Sequence, residues 1–86
     1  MINEKDHPVA WVLLISELDE AREHLEELAR EMSQAGSIEE SEFAVYLGHV
    51  YAHLNRCWHS RNLDEDIPVD QWAEYSRFPD DLEPVG

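Results

Sequence analysis

Apolar or small residues recur along the first part of the chain at spacings that alternate between three and four. This heptad pattern is typical of a helix that packs against another helix along one seam, and acidic residues fill the positions between. Pro8 suits the first turn of such a helix, and Gly36 suits the position just past its end. We therefore predict a helix over residues 8–35 with the seam Trp11, Leu14, Leu18, Ala21, Leu25, Leu28, Met32 and Ala35.

A second helix is expected after a very short connection. Ser37 and Glu40 have the spacing of a capping box, in which each side chain accepts a hydrogen bond from the other residue's backbone amide. Further along, Asn62 is suited to end the helix. The pattern predicts a helix over residues 38–61 that folds back antiparallel on the first, because so short a connection between two long helices allows no other arrangement. The predicted core of this hairpin comprises Leu18, Leu25, Leu28, Leu47, Val50 and Leu54.

The remainder of the chain predicts one short helix and a tail. After a polar linker, Pro68 opens a segment rich in aromatic residues and Pro79 closes it, which favours a helix over residues 68–78. Its aromatic side chains need an apolar surface, and the apolar run at residues 9–15 offers one at the start of the first helix. Residues 79–86 form an acidic tail with few apolar anchors, which we expect to fray.

Composition and charge narrow the classes of function. The chain has 86 residues with 20 acidic and 6 basic side chains, a formal net charge of −14, and fits a single domain over residues 1–86. With so few cations it is not expected to bind nucleic acid directly or to attach to an anionic membrane surface. Its longest apolar run has 7 residues, whereas a membrane span needs about 20. One cysteine, Cys57, and no secretory leader pattern favour a cytoplasmic protein.

The second predicted helix is nearly neutral, whereas acids dominate the first helix and the tail. Gly48 lies in its middle, where glycine costs about 1 kcal/mol relative to alanine and is usually explained by the close approach of another group. A near-neutral, wide apolar surface is the natural contact for a chain that otherwise repels its own copies. We therefore expect an all-α homodimer, a four-helix bundle formed through Ala44, Gly48, Tyr51, Ala52, Asn55 and Trp58.

Histidines on the second helix form a candidate site for a divalent transition metal. His49 and His53 are four residues apart, the spacing at which two imidazoles on one helix face share a metal ion. His24 on the first helix and a carboxylate would be the next ligands, whereas Cys57 is expected in the apolar seam. The alternative is that these histidines are polar flank residues that hydrogen-bond across an interface.

No motif in the chain identifies a reaction. Glu-x-x-Glu pairs occur on the first helix, as in all-α enzymes that hold magnesium, but the second helix lacks the matching acids, so we do not expect an enzyme. The leading hypothesis is a self-associating protein–protein interaction module whose acidic surface favours a basic partner. The alternatives are an acidic mimic of nucleic acid that binds a basic DNA-binding protein, and a metal-binding helical protein that uses His49 and His53.

Overall fold

The computed structural model describes residues 2–86, in which all regular elements are helical and there is no strand. Helix α1 spans Pro8–Ala35 and helix α2 spans Glu40–Ser60. A 3₁₀ turn at Val69–Gln71 then leads into a single α-helical turn, α3, at Trp72–Tyr75. The predicted all-α hairpin with a short C-terminal helix is confirmed, although this last helix is shorter than expected. No helix among the described residues is long and apolar enough to cross a membrane.

Local hydrogen bonds fix both ends of α1. Before the helix, the His7 amide donates to the Asn3 carbonyl at 3.2 Å, and Pro8 follows in the first turn. At the other end, Gly36 has a φ of 71°, and its amide donates to the Met32 carbonyl at 2.9 Å. Glycine adopts this left-handed conformation without strain, so Gly36 ends α1 where the pattern predicts.

The predicted capping box at Ser37 and Glu40 is wrong. Helix α2 begins at Glu40, and Glu39 before it is extended, with φ −68° and ψ 138°, and forms no side-chain hydrogen bond to the first turn. Residues 37–39 instead carry the chain across the end of the hairpin. The first turn contains Glu40 and Glu42, whose negative charges interact favourably with the positive end of the helix dipole.

Helices α1 and α2 contact each other along a narrow line of small and apolar side chains. Ala21 and Leu28 of α1 and Val50 of α2 are buried along this line. The core prediction is right for Leu28 and Val50. It is wrong for four leucines that are 42–47% exposed in the single hairpin: Leu18, Leu25, Leu47 and Leu54. Two helices cover only the seam positions that face each other directly, and the flanking heptad positions need a further layer.

The C-terminal segment packs on α2, whereas the sequence predicts packing on the start of α1. The Asn55 side chain donates to the Ser76 carbonyl at 2.9 Å, and Arg56 donates to the Ser76 hydroxyl at 2.8 Å. The rings of Tyr51 and Phe78 stack with their centroids 5.9 Å apart. Polar groups on α2 satisfy the backbone of the segment, which an apolar surface could not do. The outer side chains of the apolar run remain exposed: Val9, Val12 and Ile15.

The beginning of the acidic tail is anchored, which contradicts the expected fraying there. Pro79 is fully buried, and the Trp58 indole N–H donates to the Asp81 carboxylate at 2.8 Å. The Arg61 guanidinium lies 3.5 Å from the same carboxylate. The hydrogen bond from Trp58 lowers the pKa of Asp81 below its ordinary value. The anchor was missed because a single acid in an acidic tail carries no signal of a partner 23 residues earlier.

Candidate functional site

The hairpin has two unlike faces, one on each side of the line along which α1 and α2 touch. On one side polar side chains bridge the helices: the Tyr46 hydroxyl donates to Glu31 at 3.0 Å, and His53 hydrogen-bonds to Glu17 at 3.0 Å. On the other side, leucines of both helices line a shared groove. The two faces therefore carry different chemistry and are described separately.

The apolar side, which we call the leucine face, comprises Leu18, Leu25 and Met32 of α1 with Leu47, Tyr51 and Leu54 of α2. Leu18 and Leu54 line one groove, and Leu25 and Leu47 lie one heptad further along the antiparallel pair. On a helical wheel drawn at about 100° per residue, residues 14–32 of α1 place their acidic side chains outside the sector that faces this side. The leucine face is thus apolar, and α1 brings no acidic side chain to it.

The predicted interface residues do not share one surface. They are Ala44, Gly48, Tyr51, Ala52, Asn55 and Trp58. Tyr51 belongs to the leucine face, and the half-buried Trp58 lines the groove at its end. Gly48 is exposed, and a Cβ added to it meets nothing within 4 Å, so no aromatic ring among residues 2–86 accounts for the glycine. Asn55 is buried against the C-terminal segment, and its side chain is therefore committed within the chain.

Three histidines meet on the polar side of the hairpin and form what we call the histidine cluster: His24 of α1, and His49 and His53 of α2. The ring centroid of His24 lies 4.1 Å from that of His49 and 5.5 Å from that of His53. The rings of His49 and His53 are 5.0 Å apart. One ring nitrogen of each histidine lies within 4.8 Å of those of the other two. The hairpin thus adds His24 to the pair that the helical spacing singled out.

His53 is the most enclosed member of the cluster, with 4% of its surface exposed. Its Nδ1 lies 3.0 Å from a Glu17 carboxylate oxygen, to which the Arg56 Nε–H also donates at 3.2 Å. Arg56 Nη2 is 3.1 Å from the same Nδ1, so the His53 tautomer decides which of these groups it pairs with. The buried Nε2 of His53 has no hydrogen-bond partner among residues 2–86. A buried nitrogen without a partner costs folding free energy and is rare in folded proteins.

The surroundings of His49 favour a neutral imidazole. Partial desolvation lowers the pKa of His49, and the nearby His24, His53 and Arg56 lower it further, while Glu20 acts in the opposite direction. An uncharged imidazole has one nitrogen lone pair free to accept a hydrogen bond or bind a metal ion. At neutral pH, His49 therefore offers a lone pair rather than a positive charge.

Cys57 takes no part in the histidine cluster. Its thiol lies against the Leu14 carbonyl, with the sulfur 3.7 Å from the oxygen. Burial raises the pKa of Cys57 to about 11, and the charge of Glu17 adds to the effect. Because only a thiolate binds metals and attacks electrophiles efficiently, this thiol acts as an apolar seam residue at neutral pH.

Two features of the hairpin are left without a packing or hydrogen-bonding partner among the described residues: the leucine face and the buried Nε2 of His53. The first presents an apolar surface to water, and the second presents a nitrogen that needs a hydrogen-bonding group or a metal ion. The two features therefore call for different partners. No protein-family model, no curated protein and no solved structure matches this chain.

Proposed function

We propose that this protein is a self-associating interaction module, in which two hairpins pair through their leucine faces into a four-helix bundle and present an acidic outer surface to other proteins. The observation that carries this proposal is the exposure of the seam leucines. Leu18, Leu25, Leu47 and Leu54 occupy heptad positions, which helices bury, yet each is 42–47% exposed in the single hairpin.

The apolar area of the leucine face is large for so small a chain. A leucine that is nearly half exposed presents about 90 Å² to water, and burying that area contributes ~2 kcal/mol. Its six side chains together present roughly 500–600 Å², the upper range for the largest apolar patch on a typical monomer. A standard interface buries about 800 Å² per partner, so the leucine face supplies its apolar centre and neighbouring polar residues complete the rim.

A second copy is the partner whose spacing fits this face. Leucines repeat every seven residues on both helices, and a copy related by a two-fold axis presents the same repeat in the complementary direction. The acids of α1 lie outside the sector of the face, so like charges are not pressed together at its centre. Spacing and charge both favour a second copy of this chain as the partner.

The outer surface of the dimer would be strongly acidic. One chain carries a formal charge of −14 and two copies carry twice that, −28. A field of this sign attracts basic surfaces and repels nucleic acid. We therefore infer that a further partner is a basic protein, bound through the acidic residues that face away from the leucine face.

Sedimentation velocity of the full chain at pH 7.5 and micromolar concentration tests the proposal. We expect a dimer for the parent protein and a monomer for Leu54→Glu, which places a charge in the leucine face. Val45→Glu is the matched control, because Val45 is a 71% exposed apolar residue of the same helix outside that face. Circular dichroism establishes that both variants remain helical. A monomeric parent, or a dimer that tolerates Leu54→Glu, would overturn the proposal.

A further inference from the structure

We propose that the histidine cluster binds one divalent transition-metal ion of the zinc class, with His24, His49 and His53 as ligands and Glu17 as the hydrogen-bonding partner that orients His53. This site is separate from the proposed function and does not depend on the dimer, because all of its ligands come from one chain. It rests on the spacing of the three imidazoles, on the unpartnered nitrogen of His53 and on the carboxylate behind that histidine.

Two of the three ring spacings match what a shared ion requires, and the 4.1 Å spacing of His24 and His49 must open by about 1 Å. With Zn–N bonds of about 2.0–2.1 Å in tetrahedral geometry, the centroids of two ligating imidazoles lie about 5 Å apart. The three centroid distances in the cluster are 4.1, 5.0 and 5.5 Å. The ring planes are inclined by only 11–31°, so the rings must turn about χ2 to aim their lone pairs at one point. That torsion is soft in histidine.

The hydrogen bonding of His53 leaves one nitrogen for an ion. Arg56 Nη2, 3.1 Å from the same Nδ1, can only donate a hydrogen bond, whereas the Glu17 carboxylate can only accept one. In the tautomer that pairs with Glu17 at 3.0 Å, the proton is on Nδ1 and the lone pair is on Nε2. Nε2 is the buried atom without a partner. A carboxylate behind a ligating imidazole is the usual support of histidine metal sites, because it fixes the tautomer and makes the other nitrogen more basic. Arg56 in turn holds Glu17 in place, at 3.2 Å.

The ligand type defines the class of ion. Imidazole nitrogen suits zinc, copper, nickel and cobalt, whereas magnesium and calcium require oxygen ligands. Three histidines leave a fourth position of a tetrahedral ion for water or a small anion. Because His49 is exposed, that position would be open to solvent.

A neighbouring group of oxygen ligands is the weaker candidate. Glu17, Glu20 and His53 also offer ligand atoms within 4.8 Å of one another. The Arg56 guanidinium, however, donates to the Glu17 carboxylate, and its permanent positive charge would repel a cation bound there. The imidazole side of His53 is therefore the side that accepts the ion.

Titration of tag-free, metal-stripped full-length protein with Zn²⁺ tests this site, with Co²⁺ as a spectroscopic probe. We expect one ion per chain, an increase in melting temperature with added Zn²⁺, and visible absorption of the Co²⁺ form that indicates tetrahedral coordination. His24→Ala and His49→Ala should each weaken binding by about 100-fold or more. Glu17→Gln should weaken it by roughly 10–100-fold, because it removes the carboxylate charge that orients His53 and makes its other nitrogen more basic.

Two control variants establish that the ion binds at the histidine cluster and does so independently of the dimer. His59→Ala removes a histidine of α2 that bonds to the Arg77 carbonyl at 2.9 Å outside the cluster, and it should leave binding unchanged. Leu54→Glu should also bind one ion per chain whether or not it is monomeric, so failure of the dimer proposal does not affect this result. Binding that survives both His24→Ala and His49→Ala, or Zn²⁺ that Mg²⁺ displaces at equal concentration, would overturn the site.

Discussion

Arg56 links three parts of the molecule from a buried position. Its guanidinium donates to Glu17 of α1 and to the Ser76 hydroxyl of the C-terminal segment, at 3.2 and 2.8 Å. Its central carbon lies 4.2 Å from the centroid of the Trp72 ring, which adds a cation–π contact. A buried charge with this many partners specifies one arrangement of the chain, because any other arrangement would leave it unpaired.

Arg56→Ala should therefore lower the free energy of unfolding by about 3 kcal/mol, since it leaves Glu17 enclosed without its ion-pair partner. The matched control is Arg22→Ala, which breaks an exposed pair with Asp19 at 3.2 Å and should cost about 0.5 kcal/mol or less. Urea denaturation of the two variants makes the comparison. Equal losses would show that the buried network contributes nothing specific.

Cys57 should react slowly with thiol reagents in the folded protein. A pKa of about 11 in place of the ordinary value of 9 leaves the folded state with roughly 100-fold less thiolate near neutral pH. The reaction rate should rise with pH toward that value, and urea-unfolded protein should react at the ordinary rate. Because the unfolded chain ionises first, the contribution of Cys57 to stability is complete below pH 9 and is lost between pH 9 and about 11. Equal rates in folded and unfolded protein would contradict this.

The helices were predictable wherever local signals set their bounds. Pro8, Gly36 and the heptad pattern place α1 at Pro8–Ala35. The predicted start of α2 is wrong because Ser37 has the residue type of a cap, whereas residues 37–39 are non-helical and carry the chain across the end of the hairpin. Local sequence indicates that a helix begins nearby, but the geometry of the reversal decides the residue.

Gly48 and Gly36 make a matched test of helix structure. Gly48 lies mid-helix with open space around its missing Cβ within the described chain, so Gly48→Ala should stabilise the protein by about 0.5–1 kcal/mol. Gly36 has a φ of 71°, and Gly36→Ala should destabilise by about 1 kcal/mol, because L side chains rarely adopt that conformation. Thermal denaturation measures both. A destabilising Gly48→Ala would show that another backbone approaches this glycine, as in a dimer that uses the back of α2.

The candidate sites were predictable only in part, because the heptad pattern does not say which helix covers which residue. The leucine seam was recognised, but its leucines were assigned to the core of one hairpin rather than to its surface. His49 and His53 follow from the helical repeat alone. His24 joins them through the register of α1 against α2, and the Glu17 partner of His53 depends on the same register, which no local pattern fixes.

The hairpin places its histidine cluster and its leucine face on opposite sides. The histidines, Glu17 and Arg56 bridge the helices on one side, and the leucine face lies on the other. Metal binding and self-association would therefore use different surfaces, and neither would block the other. The remaining acids are distributed over the outside, where they would determine how the proposed dimer responds to salt.

Added salt should strengthen the proposed dimer and weaken its binding to a basic partner. Bringing together two chains of −14 each opposes association, and raising the ionic strength from about 0.01 M to 0.1 M shortens the screening length from roughly 30 Å to 10 Å. The apolar contact of the leucine faces is not weakened by that screening, so the dimer dissociation constant should fall. Sedimentation equilibrium of the parent protein across this range, with Leu54→Glu as the monomeric reference, measures it. A dimer that dissociates as salt rises would mean that ion pairs, and not the leucine face, hold the two copies together.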